Sequence, residues 1–184
     1  MHQDALNKIK IADWDEEGIY QERFRLRLTR PHALVVGRWD LEGEWGVDLR
    51  RWSYHEGRLL LSGITLNSDT WESLFAMVSS LHSDGVFRDY GACDPNIYCH
   101  SIDIGDHFTL HTDVYTASLS PFLSVCLKKG DRMLWRARGT PIGILLRFDT
   151  MADFVAKARE CQLAKKTVVK EQKITDSKTG RVIF

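Results

Sequence analysis

The sequence predicts an α+β fold: two ββββα units, each an antiparallel sheet with a covering helix, packed as an intramolecular pseudo-dimer. Three observations predict it. Residues 63–70 read Gly-Ile-Thr-Leu-Asn-Ser-Asp-Thr, and residues 143–150 read Gly-Ile-Leu-Leu-Arg-Phe-Asp-Thr, so Gly63, Ile64, Leu66, Asp69 and Thr70 recur as Gly143, Ile144, Leu146, Asp149 and Thr150. Ahead of each copy, apolar and polar residues alternate with the period of a strand. After each copy, apolar residues fall at helical spacing: Trp71, Leu74, Phe75 and Val78 align with Met151, Phe154, Val155 and Ala158.

The elements follow in order. Residues 1–22 form a polar lead-in with a turn at Asp15-Glu16-Glu17-Gly18. From Arg23 the period is two: Arg23, Arg25 and Arg27 alternate with Phe24, Leu26 and Leu28, and Pro31 ends the run. Ala33–Trp39 is a second strand and Glu42-Gly43-Glu44 a turn. Trp45–Tyr54 is a third strand, with Val47 and Leu49 on one face and Asp48, Arg50 and Trp52 on the other. Leu59–Leu66 completes the unit, and Asn67, Ser68 and Asp69 are all good caps for a helix over roughly Asp69–Leu81. The first unit spans 23–82, and a turn-rich connection covers 83–106. The second unit, 107–162, repeats the plan with strands at His107–Tyr115, Phe122–Lys129, Met133–Arg138 and Ile142–Phe148, then a helix capped by Asp149 and ending near Glu160. Residues 163–184 are a basic tail, an arm or a final strand. Each helix hides its sheet only partly, so two units packed together complete the burial and leave the opposite sheet faces in water.

Composition fits a folded, non-membrane domain. Hydrophobic residues make up 43% of the 184-residue chain. No apolar run is long enough for a membrane span, and the polar N-terminus has no signal-peptide character, which predicts an intracellular protein of cytoplasm or nucleus. Cys93, Cys99, Cys126 and Cys161 form no CxxC and read as thiols of a reducing compartment. Net charge is zero but segregated. Residues 1–22 hold two Lys against six acidic residues, and residues 63–120 one Arg against eight; residues 23–62 and the chain beyond 121 are basic.

The stretch Val47-Asp48-Leu49-Arg50-Arg51-Trp52, then Glu56-Gly57-Arg58, Gly63-Ile64-Thr65-Leu66-Asn67 and Trp71-Glu72-Ser73-Leu74 resembles the transcriptional coactivator family called positive cofactor four. The likeness covers about residues 32–81; the second half joins it through the internal repeat. Two units in one chain are also similar to the Whirly proteins, whose duplicated unit binds single-stranded DNA or RNA. The resemblance implies a curved four-stranded sheet and helix, pairing through helices, and single-stranded DNA bound on the sheets. It places Arg50 at a DNA-contacting position and, more loosely, Trp52. Where the family has a basic cluster before the Gly-Ile strand, this chain has Leu59-Leu60-Leu61-Ser62; Arg136 and Arg138 precede the second Gly-Ile.

Binding a single strand takes a positive surface and flat side chains for stacking. The candidates are Arg23, Arg25, Arg27, Arg38, Arg50 and Trp52 in the first unit, and Lys128, Arg136 and Arg138 in the second. Arg38 and Trp39 are adjacent, so only one faces outward. Trp71 and Trp135 are expected in the core. His107, Thr109, His111 and Asp113 share a strand face near Cys99, His100 and Asp103, but two histidines without a third fixed partner make a weak zinc signal, so no metal or cofactor is expected. Glycine-loop, Gly-x-Ser-x-Gly and His-Glu-x-x-His motifs are missing, and no enzyme activity is expected. The expected function is low-specificity binding of single-stranded nucleic acid, DNA favoured, with roles in transcription, replication or repair. Transcription or replication proteins and further copies of the chain are its other expected partners. The alternative is a protein-interaction or regulatory module that keeps the fold without that binding.

Overall fold

The alternating segments pair into two antiparallel sheets. The computed structural model describes Leu6, Trp14 and residues 16–92, 94–115, 121–136, 140–166, 174–175 and 182–183. The first sheet is a meander of β1 (Tyr20–Arg27), β2 (His32–Leu41), β3 (Glu44–Ser53) and β4 (Arg58–Asn67), side by side in chain order. Glu42 and Gly43 join β2 to β3 with φ of 51° and 85°, the backbone that a two-residue type I′ hairpin requires.

The second sheet takes β5 (His100–Gly105), β6 (Phe108–Tyr115), β7 (Phe122–Lys129) and, as its last long strand, β11 (Gly143–Arg147), in the order β11-β7-β6-β5. Its first strand therefore comes from within the segment expected to be a connection. There Ile102 and Ile104 alternate with exposed Ser101, Asp103 and Gly105 and pack on the core. Asp106 and His107, both at positive φ, make the following turn, which removes His107 from the strand face expected for it. The expected strand Met133–Arg138 is also broken. β8 (Arg132–Met133) pairs Lys128 and Lys129 of β7, whereas β9 (Trp135–Arg136) pairs with β10 (Thr140–Pro141). β12 (Ile174–Thr175) and β13 (Val182–Ile183) form a separate two-stranded ribbon.

Each sheet leads into a helix. α1 (Ser68–Ser83) is capped by Asn67, whose side-chain oxygen accepts a hydrogen bond from the Thr70 amide at 2.9 Å. Asp69 therefore sits in the first turn, not at the cap. α2 (Met151–Lys166) is preceded by a 3₁₀ turn in which Asp149 pairs with Arg147 instead of capping. Asp149 carries no cap hydrogen bond because its carboxylate is held by that guanidinium. α1 buries Trp71, Leu74, Phe75, Val78 and Leu81, and α2 buries Met151, Phe154, Val155, Ala158 and Cys161.

One continuous core joins both sheets and both helices. Leu34, Val36, Val47, Leu49, Ile64 and Leu66 supply the inner face of the first sheet; Leu110, Leu123, Val125, Leu127, Ile144 and Leu146 supply that of the second. The helices meet at Trp71 and Phe154, whose rings lie edge to face with centroids 6.3 Å apart. Trp71 is fully buried, as expected. Among the described residues no helix is long and apolar enough to cross a membrane.

Candidate nucleic-acid interface

The outer face of the first sheet is not left in water. The register aligns Arg25, Val35, Arg50 and Gly63 across the four strands, and Arg27, Ala33, Trp52 and Leu59 across the next row on that face. Ala33 and Val35 are fully buried. Toward the other end, Leu6, Trp14, Tyr20 and Trp39 form a second apolar cluster, with Ile19, Leu41 and Leu59 packed against it. Trp14 lies on Trp39 with ring centroids 5.4 Å apart, and the Trp39 indole lies over Gly46 and donates its Nε1–H to the Leu66 carbonyl at 3.2 Å. The lead-in to the chain thus supplies two residues that cover the face expected to bind.

Arg50 is corrected accordingly. It is only 3% exposed and grips Asp48 with two hydrogen bonds, Nε to Oδ2 at 3.0 Å and Nη2 to Oδ1 at 2.6 Å. Its Nη2 also reaches Thr65 Oγ1 at 3.2 Å, and Thr65 donates to Asp48 Oδ1 at 2.7 Å. Burial works against the Arg50 charge, but attraction to Asp48 and their hydrogen bonds outweigh it and hold the guanidinium above its ordinary pKa. This arginine is a neutralised buried group and does not face a phosphate. Arg38 leaves the set too. It lies on the helix side of the sheet, 4.8 Å over the Trp45 ring, and is forked onto Asp40 at 2.7 and 2.5 Å.

What remains at the surface is the rim of the first sheet. Arg23, Arg25 and Arg27 are exposed along the edge strand β1, where a bulge between Glu22 and Phe24 sets Arg23 out of register. The Arg25 guanidinium lies 4.0 Å over the Trp52 ring while its Nε and Nη2 hold Glu22 at 2.5 and 2.7 Å. Tyr54, 54% exposed, follows Trp52 at the end of the same strand run. The hairpin end that carries Tyr54 was readable as a turn, and an aromatic beside a turn is the signal that could have nominated it.

The second sheet contributes a groove where its edge strand β11 packs beside β4. The groove holds about 440 Å³ and is lined by Arg51 and Ser62 from the first sheet, and by Ser124, Cys126, Met133 and Trp135 among others from the second. Trp135 is 58% exposed and not core, because β9 leaves the sheet to pair with β10. Pro141, between the two expected strands Met133–Arg138 and Ile142–Phe148, was the available warning, since proline lacks the amide a central strand needs. Lys128 is half-buried on the same outer face and pairs with Met133 at the rim of the groove. The side chain of Arg136 and all of Arg138 lie outside the described residues. A larger depression, about 620 Å³, runs past Phe87, Tyr90 and Phe148; none of the described nominated residues lines it.

Titratable groups elsewhere on the sheets are held by neighbours. Burial and then Lys128 push the His111 imidazole below its ordinary pKa, and its Nδ1 lies 3.2 Å from Ser101 Oγ. Cys99 donates to Asp113 Oδ1 at 3.3 Å, and burial, then Asp113, push its thiol up. Among the described residues no three His, Cys, Asp or Glu side chains converge as a metal site. No protein-family model matches the chain, and no curated protein matches its sequence.

Proposed function

We propose that the chain is a non-catalytic, single-stranded nucleic-acid-binding protein, DNA favoured, built from two ββββα units folded as an intrachain pseudo-dimer. The observation that carries the binding reading is the Arg25–Trp52 stack, an exposed guanidinium over a half-buried indole, with exposed Arg27 and Tyr54 at the same end of the sheet. Arginine planes and aromatic rings offer bases a stacking surface, and the neighbouring guanidiniums offer phosphates charge. The duplication is supported by matched local geometry. Gly63 lies opposite Arg50, Gly143 lies opposite Cys126, and at either glycine a Cβ would run into the facing strand's backbone, at Leu49 or Val125 respectively. The packing is reciprocal as well: α1 touches β5, and α2 touches β1.

Anisotropy titrations with labelled oligo-dT and oligo-U at two salt concentrations test the proposal. Three neutralised phosphates on a single strand give a slope of log affinity against log salt of about −2. Arg25→Ala with Trp52→Ala is expected to weaken binding roughly 5- to 150-fold, the loss of a base stack. No binding at low salt sinks the reading. A second reading, a protein-interaction module that retains the fold, is favoured by the burial of Arg50 and the cover of Leu6 and Trp14. It predicts that the same double variant leaves the protein without any nucleic-acid phenotype.

A further inference from the structure

We infer that the groove between β4 and β11 is a pocket for a single nucleotide, in which Trp135 stacks the base and Arg51 and Lys128 face its phosphate. The inference rests on the nucleic-acid reading and deepens it by naming where one base is held apart from the rim. Four observations carry it. A 58% exposed indole at the mouth of a cavity is unusual, since indole has a large apolar area to hide. The volume, about 440 Å³, is in the range of small-ligand sites. Two hydroxyl groups line it, Ser62 and Ser124; the Ser62 oxygen is buried without a hydrogen-bond partner, and rotation toward the groove would meet a polar base edge. Among the described residues no acidic side chain lines the cavity, whereas Arg51 does and Lys128 stands at its rim.

The pocket exists because of two local irregularities. The pairing of β3 with β4 shifts between Arg50 and Trp52, which turns the Arg51 and Ser62 segments toward the seam. On the other side β11 stops pairing at Cys126, and β8 takes over alongside β7 at Lys128, leaving Met133 and Trp135 projecting over the outer face. A flat aromatic ligand with an attached anion fits that set. A purely apolar one leaves the Ser62 hydroxyl unanswered.

The test follows the indole N–H resonance of Trp135, assigned by its loss in Trp135→Phe, while adenosine or uridine 5′-monophosphate is added to the full chain. Indole is titrated as an uncharged control. The expected result is a saturable shift with the nucleotides, absent with indole, and a loss of oligo-dT affinity of roughly 5- to 150-fold in Trp135→Ala at unchanged melting temperature. Ser62→Ala is expected to weaken the nucleotide shift without moving the resonance in the free protein. An unmoved resonance, an equal response to indole, or undiminished oligonucleotide affinity in Trp135→Ala overturns the pocket. Oligo-dT binding that persists in that variant and falls in the Arg25→Ala, Trp52→Ala variant leaves the rim reading standing alone. If wild type binds no oligonucleotide, the general reading fails, and the mononucleotide titration alone decides the pocket.

Discussion

Asp48, Arg50 and Thr65 show how spacing fixes chemistry before function enters. Residues two apart on a strand share a face, so Asp48 and Arg50 were bound to be neighbours; the register of β3 on β4 adds Thr65 opposite Asp48. Removing one partner of a buried pair strands the other charge. Asp48→Ala is therefore expected to cost about 3–5 kcal/mol in urea denaturation, and Asp48→Ala with Arg50→Met to recover most of the loss. A single variant at Arg50 would report unfolding, not binding. His32 gives the pH-sensitive counterpart. Arg51 Nη2 lies 3.1 Å from its Nδ1, and since a guanidinium can only donate, that nitrogen is the acceptor of a neutral ring. Burial, then the Arg51 charge, lower the folded pKa below the usual 6.5, so the unfolded chain takes up a proton first. Stability from this contact is whole above pH 6.5 and declines as pH falls through the folded pKa. Melting temperatures from pH 7.5 to 5.5 should fall less steeply in His32→Gln than in wild type.

At the scale of elements, hairpins and helices were legible and the covering of a sheet face was not. Glu42-Gly43, the helix after Asn67 and the Phe24–Leu28 alternation are local signals, each satisfied by neighbours in sequence. The second face of β2 carried a signal too: Ala33-Leu34-Val35-Val36 is a continuous apolar run, the mark of a strand buried on both sides. What covers it depends on residues far away in the chain, which periodicity cannot see. The same limit explains Trp135, because only the departure of β9 from the sheet exposes it. Trp14 tests the cover directly. Trp14→Ala is expected to cost about 3 kcal/mol and to raise acrylamide quenching of the remaining tryptophans as Trp39 becomes accessible. Oligonucleotide affinity is expected to stay unchanged, because Arg25, Arg27 and Trp52 lie on the rim. A gain in affinity would instead make the lead-in a competitor for the same face.

For the whole molecule the decisive fact is the large core that both halves share. Trp71 and Phe75 of α1 belong to the same buried cluster as Phe154 and Val155 of α2, and Ile64 and Leu66 to the same cluster as Ile144 and Leu146. Neither sheet with its own helix would bury that surface alone, so the halves have no independent stability to lend. Denaturation followed by circular dichroism and by tryptophan fluorescence is accordingly expected to give coincident, single transitions. A fragment ending at residue 92 keeps the first sheet and α1 but exposes Trp71, Leu74 and Val78 where α2 and the second sheet had covered them. An exposed apolar surface of that kind drives association. The fragment is expected to sediment as a self-associated species or to lack cooperative unfolding, and added residues 94–184 should restore a discrete heterodimer. A monomeric fragment that melts cooperatively would mean that the two sheets are separate domains that merely touch, and the intrachain pseudo-dimer would have to be abandoned.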